Sequence, residues 1–192
     1  MTISAVISNS KKAEILSLFV DSYTVVDIET TGLNPVKNEI IELSAIKITN
    51  NMPEKVFSTL IKPKNPISGF ITSLTGISNL MVQNETSIED VMQSFYDFVG
   101  ESIILGHNVH FDMNFIRANS KRILNKNFPN KTLDTLKLAR KILSDVPNYK
   151  LDTLAKYYNI STEGHHRGLT DCQITNKLYQ NLRLTAQNMP SD

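Results

Sequence analysis

The sequence predicts a mixed α/β fold. Three β-rich segments follow one another near the N-terminus, helical spacing takes over from residue 87, and a further short apolar strand sits between two helical stretches. Strands in succession make an antiparallel meander, and strands alternating with helices pair in parallel, so the two patterns imply one mixed sheet with helices packed on its faces. The size agrees. At 192 residues, with 41% hydrophobic and 20% charged side chains, the chain suffices for one globular domain with a buried core.

Residues 13–20 carry Ile15, Leu16, Phe19 and Val20 at near-helical spacing, which predicts a short helix ahead of the main domain. Residues 1–20 are therefore expected to form an N-terminal helical extension, and residues 21–188 the domain proper. Residues 23–28 are β-branched and aromatic and run into Thr30-Thr31-Gly32, the pattern of a strand ending in a turn. Residues 39–48 and 55–61 give two more strands, separated by a polar turn at 49–53. Ser87-Ile88-Glu89-Asp90 then opens a helix with Val91, Phe95, Phe98 and Val99 on its apolar face, and Gly100 ends it. Residues 102–105 form a short strand, and 107–120 a helix with Phe111, Phe115 and Ile116 inward. Three helices follow, at 133–143, 150–158 and 169–184.

Composition excludes some classes of function. The net charge is +1, so the molecule is not a polycation that coats long duplexes. Between Met113 and Ile160, however, ten Lys or Arg face three acids, which makes that segment either a phosphate-facing surface or a set of solvated helix faces. No stretch approaches the roughly 20 apolar residues of a spanning helix, so no membrane partner is expected. The mildly apolar start is followed by Lys11 and Lys12 instead of being preceded by them, unlike a secretory leader. A cytoplasmic location is the expectation, and the single cysteine, Cys172, fits a reducing compartment.

The chemistry-bearing residues lie in three segments. Asp27 and Glu29 are two apart on a strand, so both carboxylates project from one face at its end. Two anions that close raise each other's pKa unless a cation sits between them. Hard oxygen ligands with no cysteine or clustered histidine favour magnesium or manganese over zinc. Alone, the pair reads first as the solvated end of a strand. In the second segment, Gly106-His107-Asn108-Val109-His110-Phe111-Asp112, a strand stops at glycine, Asn108 is placed to cap the next helix, and Asp112 falls in its first turns, where an acid also suits the helix dipole. The third, His165-His166-Arg167-Gly168-Leu169-Thr170-Asp171, opens the final helix. Five residues on an unbroken helix set two side chains roughly 140° apart. His166 and Asp171 therefore converge only if His166 lies on a loop that Gly168 allows to fold back.

Together the three segments resemble a known family. Val25-Val26-Asp27-Ile28-Glu29-Thr30-Thr31-Gly32-Leu33 resembles the first motif of the DEDDh 3′–5′ exonucleases, which include the epsilon-type proofreading subunits and domains of bacterial replicative polymerases. His107-Asn108-x-x-Phe111-Asp112 resembles the second motif, and His166-Arg167-x-x-x-Asp171 the third, with histidine five residues before aspartate. Lesser matches run through Glu39 to Ala45, Leu74 to Ile77 and Leu133 to Arg140, so the likeness extends from about Tyr23 to Leu184 in the family's order. There are departures. A second histidine, His165, precedes the expected one, and Gly168 and Thr170 replace residues that are commonly Ala and an acidic or small residue.

The resemblance implies a ribonuclease H-like mixed five-stranded sheet, an antiparallel meander plus parallel strands, flanked by helices. It implies release of mononucleotides from 3′ ends with two Mg²⁺, for which Mn²⁺ substitutes. By analogy Asp27 bridges both ions, Glu29 and Asp171 complete the first, Asp112 anchors the second, and His166 is the general base. Around the terminal nucleotide it suggests Thr30, Leu33, Thr75, His107, Asn108 and Phe111; for Leu33 and Phe111 core packing is the alternative, and for Asn108 a helix cap. Asp134 reads as structural. The expected partner is a single-stranded or frayed 3′ end, with DNA favoured over RNA because the likeness is strongest to exonuclease domains attached to bacterial DNA polymerases and helicases; association with such a polymerase or helicase is a further option. An RNA-trimming enzyme with the same centre is the alternative. A non-catalytic subunit would be expected to have lost at least one of the five residues. A cysteine hydrolase on Cys172 lacks a third group to orient the histidine.

Overall fold

The computed structural model describes residues 12–190. Its sheet has five strands in the order β3-β2-β1-β4-β5: β1 Tyr23–Thr30, β2 Ile40–Thr49, β3 Met52–Leu60, β4 Ile104–Gly106 and β5 Thr132–Asp134. β1 pairs antiparallel with β2, and β2 with β3. β1 pairs in parallel with β4, and β4 with β5. The expected mixed sheet is present. Its helices are α1 Gly69–Thr75, α2 Asn79–Val82, α3 Ile88–Val99, α4 His110–Leu124, α5 Thr135–Ile142, α6 Leu151–Tyr157 and α7 Gly168–Gln187.

Alternation along β1 explains the layering. Tyr23 and Val25 enter one core with the buried faces of α5, α6 and α7, while Val26 and Ile28 enter a second core with α3 and α4. Both faces of the central strand are thus covered, as parallel pairing requires. Residues 12–16 are helical and 17–18 form a turn, shorter than the helix expected over 13–20. Ile15 and Phe19 are buried in the same core as α7, the Phe19 and Tyr179 rings 5.1 Å apart. The rest of the expected N-terminal extension, residues 1–11, lies outside the described residues.

Three local expectations are corrected. The helix expected from 133 is a strand first. Thr132, Leu133 and Asp134 pair with Ile104, Leu105 and Gly106, and Asp134 then caps α5, its side chain accepting from Leu136 N. The β2–β3 turn is tighter than its composition suggests, because Asn50 and Asn51 both take positive φ, 51° and 64°, as a two-residue hairpin requires. Finally, α1 and α2 were not anticipated. Ser68 and Ser78 cap them by accepting from Ile71 N and Met81 N, and Gly76 at φ 71° ends α1.

Candidate active site

Three elements converge at the C-terminal end of β1. Asp27 and Glu29 lie on the β1 face that packs towards α7, and Asp171, in the first turn of α7, is buried. Carboxylate oxygens of Asp27, Glu29 and Asp171 all lie within 4.8 Å of one another. Asp112 arrives from the first turn of α4 and is also buried. Its place follows from the shortness of β4, which pairs only with Thr24 and Val25 of β1. Further along, the Ile28 N–H donates to Asp112 Oδ1 at 3.2 Å, so the acid takes over where the ladder stops. Of the four acids expected, Asp27, Glu29 and Asp171 form one close group, and Asp112 adjoins it through Ile28 N and its effect on Asp27.

The cluster is electrostatically frustrated. Burial, then Asp112, Asp171, Glu29 and Glu42, push Asp27 well above the carboxylate range. Glu29 is pushed up to about 8, first by burial and then by Asp171 and Glu42. Asp112 is also pushed up to about 8 by burial, against the backbone hydrogen bonds that favour its charged form. Asp171 is raised by burial and pulled back by His165. Converging carboxylates this reluctant to ionise together suit divalent cations, and an all-oxygen set of acids fits Mg²⁺ or Mn²⁺.

Beside the acids lies the histidine loop. His165 Nδ1 is 2.5 Å from Asp171 Oδ1, while His166 gives Asp171 Oδ2 only its backbone N–H, at 3.3 Å. The two rings stack, centroids 4.0 Å apart and 30° between planes. His166 is exposed, and its ring makes no hydrogen bond among the described residues. The loop does fold back, but not at Gly168: His166 itself takes the left-handed conformation, φ 68°, as does Gly164 at 77°. Gly168 is needed for close approach, since a Cβ there would stand 2.8 Å from Ser44 Oγ.

The residues expected around a terminal nucleotide divide into free and engaged. Leu33 is 84% exposed, so it is not core. Phe111 is half-buried, with its ring centroid 5.2 Å from that of Phe115. Thr30 is buried and donates to Gly32 O at 2.6 Å. Thr75 is buried too, its hydroxyl donating to Ile71 O and accepting from Ile77 N. Both ring nitrogens of His107 are engaged, Nε2 with Tyr149 O and Nδ1 with Thr135 Oγ1, each at 2.9 Å. Burial lowers its pKa and so favours the neutral ring. Asn108 is not the side-chain cap expected: α4 starts after Val109 with no side-chain cap, and Asn108 sits at φ 59° with its N–H donating to Asp134 Oδ1 at 2.9 Å. Asp134, holding both Asn108 N and Leu136 N, is structural as read.

Two features escaped the sequence reading. Glu42, 3% exposed in mid-β2, accepts from the Arg167 guanidinium and from Gly168 N. The available signal was a charge inside the otherwise apolar run Ile40-Ile41-Glu42-Leu43, since a buried charge needs a partner. The basic segment does not form one face. Arg122 pairs with Glu89 and Lys141 with Glu14, but Arg140 and Lys150 line a cavity of about 540 Å³ that also touches His107 and Asn108.

Comparison with known proteins bears on this geometry. A family model described as exonuclease, RNase_T, matches residues 24–179. The chain is 37% identical over 158 residues to the epsilon subunit of DNA polymerase III from Aquifex aeolicus, covering 82% of this chain and 78% of that one. It is 41% identical over 157 residues to the PolC-type DNA polymerase III of Caldanaerobacter subterraneus subsp. tengcongensis, again covering 82% of this chain but only 11% of the polymerase. The chain therefore spans about a tenth of the PolC-type relatives that it matches. Exonuclease X in complex with 5′-overhanging duplex DNA superimposes with a TM-score of 0.67 at 28% identity, covering 84% and 91% of the two chains. The zinc-bound complex of Escherichia coli exonuclease I with single-stranded DNA gives 0.75 at 18% identity, covering 89% and 42%. That likeness bears on the fold alone, which is the ribonuclease H-like sheet expected.

Proposed function

The chain belongs to the RNase_T exonuclease family, and on that premise we propose that it removes nucleotides singly from the 3′ end of DNA, in the manner of a proofreading or repair exonuclease. The observation that carries this reading is the convergence of Asp27, Glu29 and Asp171 from β1 and α7, with the buried Asp112 of α4 bonded to the Ile28 N–H between the two β1 acids and close enough to raise Asp27. Asp27, Glu29 and Asp171 would hold one divalent cation, and Asp27 with Asp112 a second. Two such cations supply an activated water at neutral pH and offset the charge on the departing 3′ oxygen.

The chain's own residues supply the rest. His166 takes the proton of the attacking water, for which its exposed ring, stacked on His165 but free of hydrogen bonds among the described residues, is suited. Leu33, standing out into solvent, is free to wedge against the last base, and the half-buried Phe111 offers a ring to stack on. Thr30 and Thr75 shape the floor through backbone and buried hydroxyls. His107 keeps the 149 loop against the end of β4 and so fixes the wall beside Asn108. Upstream phosphates lie along Arg140 and Lys150. DNA is favoured because the relatives that match over most of this chain are named as DNA polymerase III components; a polymerase is the corresponding partner.

The test is end-labelled single-stranded DNA, mismatched duplex and RNA, each incubated with Mg²⁺, Mn²⁺ or EDTA. Mononucleotide release should need metal and vanish in Asp27→Ala and Asp171→Ala. Activity that survives those changes would sink the mechanism, and preference for RNA would reverse the choice of substrate.

A further inference from the structure

We infer that Glu42 and Arg167, neither of them among the acids or the base, act as positioning residues that present His166 and Asp171 together. The inference rests on the exonuclease reading above. Glu42 faces Glu29 across the β1–β2 ladder and is 3% exposed. Among the described residues, every hydrogen bond to its side chain comes from the segment that opens α7. Arg167 Nε stands 3.3 Å from both of its carboxylate oxygens, Arg167 Nη2 3.0 Å from Oε1, and Gly168 N 2.9 Å from Oε2.

This geometry does two things. Arg167 is the N-cap residue of α7 yet offers no side-chain cap, so the helix start would leave its N–H groups unpaired. The Glu42 carboxylate, reaching over from β2, accepts one of them and sits where an anion is favoured by a 20-residue helix. Secondly, the fork of Arg167 fixes the residue that directly follows His166. His166 occupies φ 68°, which is costly for a residue with a Cβ and persists only where the surroundings hold it. On one side it is held by its own N–H on Asp171 Oδ2; on the other it is held by the Arg167–Glu42 fork. Gly168 then packs so closely on β2 that an added Cβ would stand 2.8 Å from Ser44 Oγ. The clamp therefore sets the distance between the loop that carries His166 and the turn that carries Asp171. A planar, two-point guanidinium–carboxylate contact transmits position better than a point charge.

The experiment compares Arg167→Ala, Arg167→Lys and Glu42→Gln with Arg183→Ala. Arg183 also anchors α7, through Asp21, but near the helix's opposite end. Each variant is assayed with Mg²⁺ and Mn²⁺ on end-labelled single-stranded DNA and on the p-nitrophenyl ester of thymidine 5′-monophosphate, a substrate without an upstream strand, and its Tm is measured. Loss of alignment of about 1 Å should lower kcat on both substrates by about 10²-fold in Arg167→Ala, with KM within about threefold. Free guanidinium at low millimolar concentration should restore part of that loss. Arg167→Lys, which keeps the charge and loses the fork, should recover only part, and Glu42→Gln should fall the same way by less. Arg183→Ala should lose Tm and keep kcat. If Arg167→Ala does not fold, Arg167→Lys carries the same reading. A folded Arg167 variant with wild-type kcat overturns the clamp, and so does an equal kcat loss in Arg183→Ala. Wild-type protein inert with both metals would instead refute the exonuclease reading on which the clamp rests.

Discussion

His165 and Asp171 are joined side chain to side chain, Nδ1 to Oδ1 at 2.5 Å, whereas the neighbouring His166 meets the same acid only through its backbone. On the proposed mechanism this difference would separate the two histidines in role. A ring tied to a buried carboxylate orients that carboxylate, and an exposed ring that stacks on its neighbour but makes no hydrogen bond among the described residues can accept a proton. His166→Ala should lower kcat by about 10²–10⁴-fold with Mn²⁺ affinity largely kept. His165→Ala should cost less in kcat and should change Mn²⁺ affinity, because Asp171 loses its side-chain partner and keeps only the His166 N–H. Steady-state kinetics and calorimetric Mn²⁺ titration separate the two, and the reverse ranking would make His165 the base.

The raised carboxylates make a signed prediction for stability. Glu29 and Asp112 are pushed up to about 8 from ordinary values of 4.5 and 3.8. The native protein therefore binds more protons than the unfolded chain between about pH 4 and 8, and stability falls as pH rises through that window. His107 works the other way, its lowered pKa making stability rise with pH up to its ordinary 6.5; above about pH 7 the raised acids set the sign, and the raised Cys172 thiol adds to it towards pH 9. The metal-free Tm should fall from pH 7 to 8.5, and millimolar Mg²⁺ or Mn²⁺ should reverse the fall by replacing the protons. Glu29→Gln should raise the metal-free Tm at pH 8, by about 2–4 °C for each kcal/mol of repulsion relieved, and should abolish activity. A metal-free Tm that is level or rising over that range, read by scanning fluorimetry, contradicts the electrostatic account.

What the sequence made legible was whatever depends on local period and spacing. The i, i+2 relation of Asp27 and Glu29 needs only a strand, and the mixed sheet needs only the order of patterns. β5 was hidden because three residues are too few to show a period, and Leu133 fits a helix as well as a strand. Asn108 looked like a cap because its type suits one; its left-handed turn is set instead by Asp134, 26 residues away. Glu42 and Arg167 are 125 residues apart, and nothing local in the sequence joins them. The site's acids were readable, whereas the contacts that hold its loops were long-range.

Gly168 offers a steric test of the α7 placement. A Cβ there would meet Ser44 Oγ at 2.8 Å and Ser44 Cβ at 3.1 Å. Ser44 cannot easily give way, being fully buried and bonded to Ser58 Oγ at 2.9 Å. Gly168→Ala should therefore cost about 1–3 kcal/mol by overpacking and should lower kcat by moving Asp171. Adding Ser44→Ala, which removes the nearest contact, should recover part of both. If Gly168→Ala alone keeps wild-type Tm and kcat, the close approach of α7 to β2 is not needed.

The path of the nucleic acid upstream of the site is tested by salt. Arg140 and Lys150 are exposed and line the cavity that touches Asn108, four residues before Asp112. The Arg140 guanidinium also lies over the Tyr149 ring, 5.7 Å from its centroid, and forms no ion pair among the described residues. Phosphates held there release counterions, so each lost contact should flatten the dependence of log Kd on log salt by about 0.7 for a single strand. Arg140→Ala and Lys150→Ala should each weaken oligonucleotide binding, leave kcat at saturating substrate nearly unchanged, and leave the rate on a single-nucleotide ester unaltered. Lys141→Ala is the control, since its ammonium pairs with Glu14 instead of lining that cavity, and it should keep the wild-type slope. Equal slopes in all four proteins, measured by fluorescence anisotropy across a salt series, would place the strand elsewhere.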